Sequence, residues 1–169
     1  MKFKRYKFTN LRIREYLSLS AVVLVLFAVD RIIKLWFTKN PGYTRDFIVG
    51  FLSFHQEKNY GIAFGLPVNQ IFILVLNFLI IAILVSILLR AYSRADLLAF
   101  FSLSLIIAGA FSNLFDRRQF GFVVDYIDVP FFTVFNLADI MISIGVGLII
   151  VQELFFKKVK IKKIGSPSV

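Results

Sequence analysis

Residues 112–139 read SNLFDRRQFGFVVDYIDVPFFTVFNLAD. The stretch lies between two long apolar runs and carries four of the chain's ten acidic residues, Asp116, Asp125, Asp128 and Asp139. Asp125 and Asp139 sit against strongly apolar sequence, in VVDYI and NLADIMI. A carboxylate beside a bilayer is costly to keep charged, so its first reading is a functional group. Two questions follow: whether a bilayer surrounds the stretch, and whether its carboxylates act together.

Composition answers the first. The chain has 169 residues, 59% of them hydrophobic, and a mean hydropathy of +0.80, which is too apolar for a soluble domain of this size. Several runs approach the roughly 20 residues needed to cross a bilayer. A single helical membrane unit over residues 1–169 is expected. There is no cysteine, which excludes structural disulfides, Cys-ligated zinc, iron–sulfur clusters, thiol nucleophiles and a lipidated cysteine on this chain. His55 is the only histidine. Carboxylates are then the best acid/base groups available.

The formal charge of +10 sits at the ends of the apolar runs. Lys2, Lys4, Arg5, Lys7, Arg12 and Arg14 precede the first, and Lys157, Lys158, Lys160, Lys162 and Lys163 follow the last. Such clusters set topology and contact anionic phospholipids; no basic globular face exists to bind nucleic acid.

Four spans are expected, at about residues 17–36, 67–89, 95–115 and 136–156, with basic tails at 1–16 and 157–169. The first is read as a retained helix rather than a signal peptide, because no small-residue cleavage site follows it. Asp30 and Lys34 share one face of this helix and can pair. Snorkelling to the interface would also explain Lys34, though not Asp30. The loop 37–66 has alternating and aromatic character, so 47–54 and 61–64 are candidates for a small sheet. In NYGIAFG, Asn59 stands close to Gly61, and a turn accounts for both. Pro67 suits the first turn of the second helix, and Asn77 within it is expected to bond another helix. Asp96 suits the start of the third, where the helix dipole favours an anion. The small residues Ser102, Ser104, Ala108, Gly109, Ala110 and Ser112, and later Gly145 and Gly147, mark expected helix-packing faces.

The two tails and the 90–94 link carry thirteen of the twenty Lys and Arg residues. With four spans they lie on one side, so both termini are expected in the cytoplasm. Asp116 and Asp139 then fall at outer helix ends. Asp30, about 13 residues into its span or roughly 20 Å, falls in the outer half.

Two carboxylates that approach closely share a proton. One can act as general base on water while the other donates to a carbonyl or a leaving amine. Asp125 and Asp139, fourteen residues apart around Pro130, can meet in this way. Asn136, three residues before Asp139, lies on nearly the same face to orient either group. Asp116 and Arg117 suit a local pair, and Asp128 a solvated loop charge. Simple solvation of carboxylates at helix ends is the plainer reading, and residues alone leave both open.

Several motifs resemble the lipoprotein signal peptidases, the signal peptidase II family. DRIIK resembles the family's first-helix D-x-x-x-K, NYGIAFG its N-x-G-x-A-F loop with Ala63 and Phe64, and AGAFSNLFDR its G-G-x-x-G-N-x-x-D-R segment. VVDYI and FNLAD resemble the two segments that carry its aspartates. The resemblance implies an all-α membrane protein of four transmembrane helices with a small extracytoplasmic β-cradle, which would suit residues 40–65. It implies an aspartic endopeptidase that cuts prolipoproteins before a diacylglyceryl-modified cysteine, in the bacterial cytoplasmic membrane, without metal or organic cofactor. Asp125 and Asp139 would be catalytic, and Asn59, Asn113, Arg117 and Asn136 would support the site. Asp30, Lys34, Asp116, Gly61 and Gly109 would hold structure. The active site would face outward, and the chain would act as a monomer among membrane phospholipids. Ala108 and Ser112 depart from the family's glycines, which puts local backbone geometry in question if either site needs positive φ. Two other readings stay open: a catalytically silent homologue that binds lipoproteins, and a small proton-coupled transporter using Asp30, Lys34 and Asp139.

Overall fold

The chain turns where its polar segments interrupt apolar runs. The structure, a computed structural model, describes the backbone of residues 10–61 and 70–164 and the side chains of residues 12–61 and 71–154. Helices α1 (Asn10–Lys39), α2 (Gln70–Ser93), α3 (Leu97–Phe120) and α4 (Leu137–Ile164) are joined by strands β1 (Thr44–Ile48), β2 (Leu52–Asn59) and β3 (Val123–Asp128). All four helices are long and apolar enough to cross a bilayer. They outrun the expected spans: α1 begins inside the expected basic arm, and α4 continues through the lysine-rich run to Ile164. The expected strand at 61–64, with Ala63 and Phe64, continues into residues outside those described, as do the helix start at Pro67 and the extreme tails.

Capping explains the limits of α3. The Asp96 carboxylate accepts the Ala99 N–H at 3.0 Å, and Gly121, at φ 80°, ends the helix with its own N–H on the Arg117 carbonyl at 3.1 Å. Asp96 also takes the Gln152 amide of α4 at 2.9 Å, tying the α2–α3 turn to α4.

The three strands form one antiparallel sheet in the order β1-β2-β3. Its composition corrects an expectation. Residues 47–54 contain a hairpin turn, with Gly50 at φ 73°, so they fold back on themselves. The third strand comes from VVDYID, beyond the 40–65 segment, where β-branched and aromatic residues suit a strand. Phe135 bridges to Ile127 and covers part of the free edge of β3. The sheet caps the bundle end where α1 and α3 finish and α4 begins. Phe37 of α1 packs there with Val124 and Tyr126, its ring stacked on Tyr126 at 5.3 Å between centroids.

Among the helices α3 is central, packing on the other three. Ile71, Phe72, Phe78, Ile83 and Leu89 of α2 are exposed, as a lipid-facing helix requires. Among the described residues, Asn77 does not bond another helix. Its amide donates to the Ile73 carbonyl one turn back at 2.8 Å, which satisfies the donor locally.

Small residues bring α3 and α4 together. A Cβ on Gly109 would collide with the Ala138 carbonyl oxygen and stand 2.8 Å from Ile142 Cγ1. One on Gly145 would stand 2.6 Å from the Ser102 carbonyl oxygen. Gly147 faces open space, so only one of the two expected glycines of α4 packs. Gly109→Ala should therefore destabilise the protein by about 1–3 kcal/mol through overpacking. Gly147→Ala should be neutral or mildly stabilising through helix propensity. Thermal unfolding of both variants in detergent checks the contrast; equal effects would contradict this packing.

Candidate active site

The 112–139 stretch supplies the end of α3, all of β3 and the first turn of α4, and it folds these onto one cavity. That cavity, of about 610 Å³, is lined by Asp125, Asp139, Asn59, Asn113 and Arg117 among others. Asp125 enters from the middle of β3, where both flanking residues, Val124 and Tyr126, are buried. Asp139 enters from α4.

Asp139 is placed by a reciprocal cap. Asn136 precedes α4, and its Oδ1 accepts the Asp139 N–H at 3.0 Å, while the Asp139 carboxylate accepts the Asn136 N–H at 3.2 Å. This is a capping box with Asn and Asp in the two roles, and it locks the carboxylate to the helix start. The spacing N-x-x-D was visible in FNLAD as that signal. The same Asn136 donates its side-chain amide to Asp125 Oδ1 at 2.6 Å and to Asn113 Oδ1 at 3.2 Å. One amide thus joins both carboxylates. Asn113 Nδ2 donates to Asp139 Oδ1 at 2.8 Å, and Asn59 Nδ2 donates to Asp125 Oδ2 at 3.1 Å. Asn59 also forms the turn expected of it, its Oδ1 accepting the Gly61 N–H at 3.1 Å. Turn and carboxylate contact are two ends of one side chain.

Behind this face lies a buried ionic cluster. Lys34 is fully buried, so it does not snorkel. Its ammonium donates to Asn113 Oδ1 at 2.7 Å and pairs with Asp116 at 2.8 Å and Asp30 at 3.4 Å. Asp116 pairs with Arg31 of α1 at 2.5 Å, and not with the adjacent Arg117 as expected. A helix turns successive side chains about 100° apart, which sends Asp116 inward and Arg117 elsewhere. Arg117 donates to the Gly61 carbonyl at 3.1 Å and lines the cavity. Asp30 accepts from Ser112 Oγ at 2.5 Å, Tyr126 Oη at 3.3 Å and the Ala138 N–H at 3.1 Å. The Tyr126 hydroxyl in turn accepts the Leu137 N–H at 3.1 Å.

Three contributors escaped the reading of the residues. Ser112 looked like packing only, yet its hydroxyl holds Asp30. Neither Ser112 nor Ala108 has positive φ, so this backbone does not require the missing glycines. Arg31 and Tyr126 carried no sequence signal beyond lying beside Asp30 and Asp125. Asp128, expected in a solvated loop, ends β3 and accepts from Ser53 at 3.1 Å.

Burial is the main cause that pushes the Asp125 carboxyl up to about 7, and the neighbouring Asp139 charge adds to it. The Asn59 and Asn136 amides and the Lys34 charge oppose the rise. Tyr126 is also raised, chiefly by burial and then by Asp30.

Four apolar helices capped by a sheet, with a cavity between the sheet, α3 and α4 that is lined by two carboxylates, define a class: a multi-pass membrane protein with a polar site at one bundle end. Comparison with known proteins narrows the class. The family described as Signal peptidase (SPase) II matches residues 22–155. A lipoprotein signal peptidase of Pelagibacter ubique is 38% identical over 159 residues, covering 86% of this chain and 92% of that one. One from Clostridium tetani is 35% identical over 139 residues, covering 77% and 88%. A solved structure described as a bacterial membrane enzyme superposes with a TM-score of 0.71 at 26% identity, covering 100% of this chain and 99% of that one. The chain belongs to the signal peptidase II family, and it is a multi-pass bacterial membrane protease.

The Asp125 shift has a consequence for stability. Between about pH 4 and 7 the folded chain holds a proton on Asp125 that the unfolded chain releases. Unfolding then releases protons, so this group lowers stability as pH rises through that window. Asp125→Asn lacks the group and should gain on the wild type as pH climbs from 4 to 7. Parallel thermal unfolding of the two proteins checks this; a constant or shrinking difference would refute it.

Proposed function

We propose that this protease removes signal peptides from lipid-modified prolipoproteins by aspartic catalysis, with Asp125 and Asp139 as the pair. The observation that carries the reading is Asn136, whose amide bonds Asp125 and whose backbone and Oδ1 engage Asp139, with both carboxylates lining one cavity. Burial and the Asp139 charge raise Asp125 to about 7, so Asp125 is the member of the pair that carries the shared proton. Asp139, as carboxylate, takes a proton from a water whose oxygen attacks the scissile carbonyl carbon. Asp125 gives its proton to the carbonyl oxygen. The tetrahedral adduct then collapses: the C–N bond breaks, the amine takes the proton from Asp139, and Asp125 recovers its own from the adduct hydroxyl. No covalent enzyme intermediate is needed.

Asn59, Asn113 and Asn136 hold the two carboxylates, and Arg117 brings positive charge to the cavity. Asp30, Lys34 and Asp116 act behind them as structural groups. The chain works as one unit and as a monomer, contacting phospholipids and no nucleic acid. Both termini are cytoplasmic and the site faces outward, the arrangement supported by the flanking positive charge. A lipid-modified cysteine places its scissile bond at that interface, with its acyl chains left between helices. Both carboxylates line the cavity with hydrogen-bonded amides, which favours the protease over a silent binder.

Cleavage of a diacylglyceryl-modified prolipoprotein by purified protein tests the reading. Asp125→Asn and Asp139→Asn should each lose at least about a hundredfold in kcat, the scale of a general acid or base. Both variants should insert and melt cooperatively. Wild-type activity in either variant would remove that aspartate from the pair.

A further inference from the structure

One more carboxylate stands on the sheet face that carries Asp125. Glu57 of β2 is the direct antiparallel partner of Asp125. Directly opposed residues share a face, with Cβ atoms about 5 Å apart. Asn59, two residues along β2 and so on the same face, bonds Asp125. A bulge between Phe54 and Glu57 resets the pairing just before this point. Bulges of this kind re-aim side chains beside active sites. Glu57 lines the cavity of the two aspartates, is exposed, and makes no ion pair among the described residues. Its neighbour Lys58 also borders the cavity, but its ammonium lies over the Phe122 ring, 5.2 Å from the centroid. The mechanism above uses neither residue.

We infer that Glu57 determines specificity, reading charge just beyond the scissile bond and favouring a basic side chain on the residue after the lipid-modified cysteine. The inference rests on the prolipoprotein reading. The signal segment is apolar and belongs among the helices, whereas the sheet caps the bundle end. Chain leaving past β2 is therefore the mature side. Glu57 stands directly opposite Asp125, with Cβ atoms about 5 Å apart. An extended substrate rises about 3.3 Å per residue, so a side chain one or two residues past the bond comes level with Glu57. The first residue after the bond is the cysteine, whose thiol carries the lipid, so the second is the one free to meet Glu57. A lysine or arginine there finds a carboxylate with no ion-pair partner among the described residues, and an acidic residue meets like charge; Arg117, which also lines the cavity, is engaged by the Gly61 carbonyl.

The test uses purified full-length protein and two diacylglyceryl-modified prolipoproteins that differ only in Lys or Glu after the cysteine. The readout is the ratio of their kcat/KM values within each protein, so any general loss of activity cancels. Wild type should prefer the Lys substrate by about two- to fivefold, the size of one exposed ion pair, chiefly through KM. Glu57→Asp should retain the preference, Glu57→Gln should reduce it, and Glu57→Lys should reverse it. A wild-type ratio of one or less, or a ratio unchanged in Glu57→Gln, would overturn the inference while leaving the protease intact. Failure of wild type to cut either substrate would instead count against the prolipoprotein reading itself, and the inference would fall with it.

Discussion

The structure depends on one buried carboxylate, that of Asp30. It accepts from Ser112 on α3, from Tyr126 on β3 and from the Ala138 N–H in the first turn of α4. Three elements distant in sequence are thereby fixed to α1 at one point. A buried charge persists only when paired and hydrogen-bonded. Here Asp30 and Asp116 are matched by Lys34 and Arg31, so the cluster is neutral as a unit. Removing one member leaves an uncompensated buried charge, a loss of about 3–5 kcal/mol.

That neutral cluster and the cavity face form a relay of position. Lys34 holds Asn113, Asn113 holds Asp139, and Asn136 joins Asn113 to Asp125. Each amide has its orientation set from behind and its contact set in front. The proposed pair is thus held by groups whose own freedom is already spent in the fold, the condition for acting on a substrate without reorganisation. Gly109 serves the same end, since it lets the α4 start approach α3 closely enough for these bonds.

The four spans and the Asp30–Lys34 pairing were legible, because bilayer thickness and the cost of buried charge act on local sequence. Asp125, Asp139 and Asn136 stood out by their apolar setting and spacing, whereas Asn59, Asn113 and Arg117 entered as site residues only through the family resemblance. The third strand was not. VVDYID is short and continuous in apolar character, and its partner lies more than sixty residues away. The Arg31–Asp116 pair was missed for a related reason. Adjacent Asp116 and Arg117 look like partners in sequence, but helix geometry turns them apart and only the fold brings Arg31 across. Ser112 shows the limit of composition-based reading, since a small residue on a packing face and a hydroxyl on a buried carboxylate look the same in one sequence.

The central claim is that Asp125 and Asp139 form a pair that shares a proton, carried on Asp125 and lost at about pH 7. Infrared spectroscopy of the detergent-solubilised protein with carbon-13-labelled aspartate measures this directly. A protonated-carboxyl band should persist after exposed aspartates have ionised, disappear with a midpoint at about pH 7, and be lost in Asp125→Asn. A protein with no such band above pH 5, or with the same band in Asp125→Asn, would contradict the account.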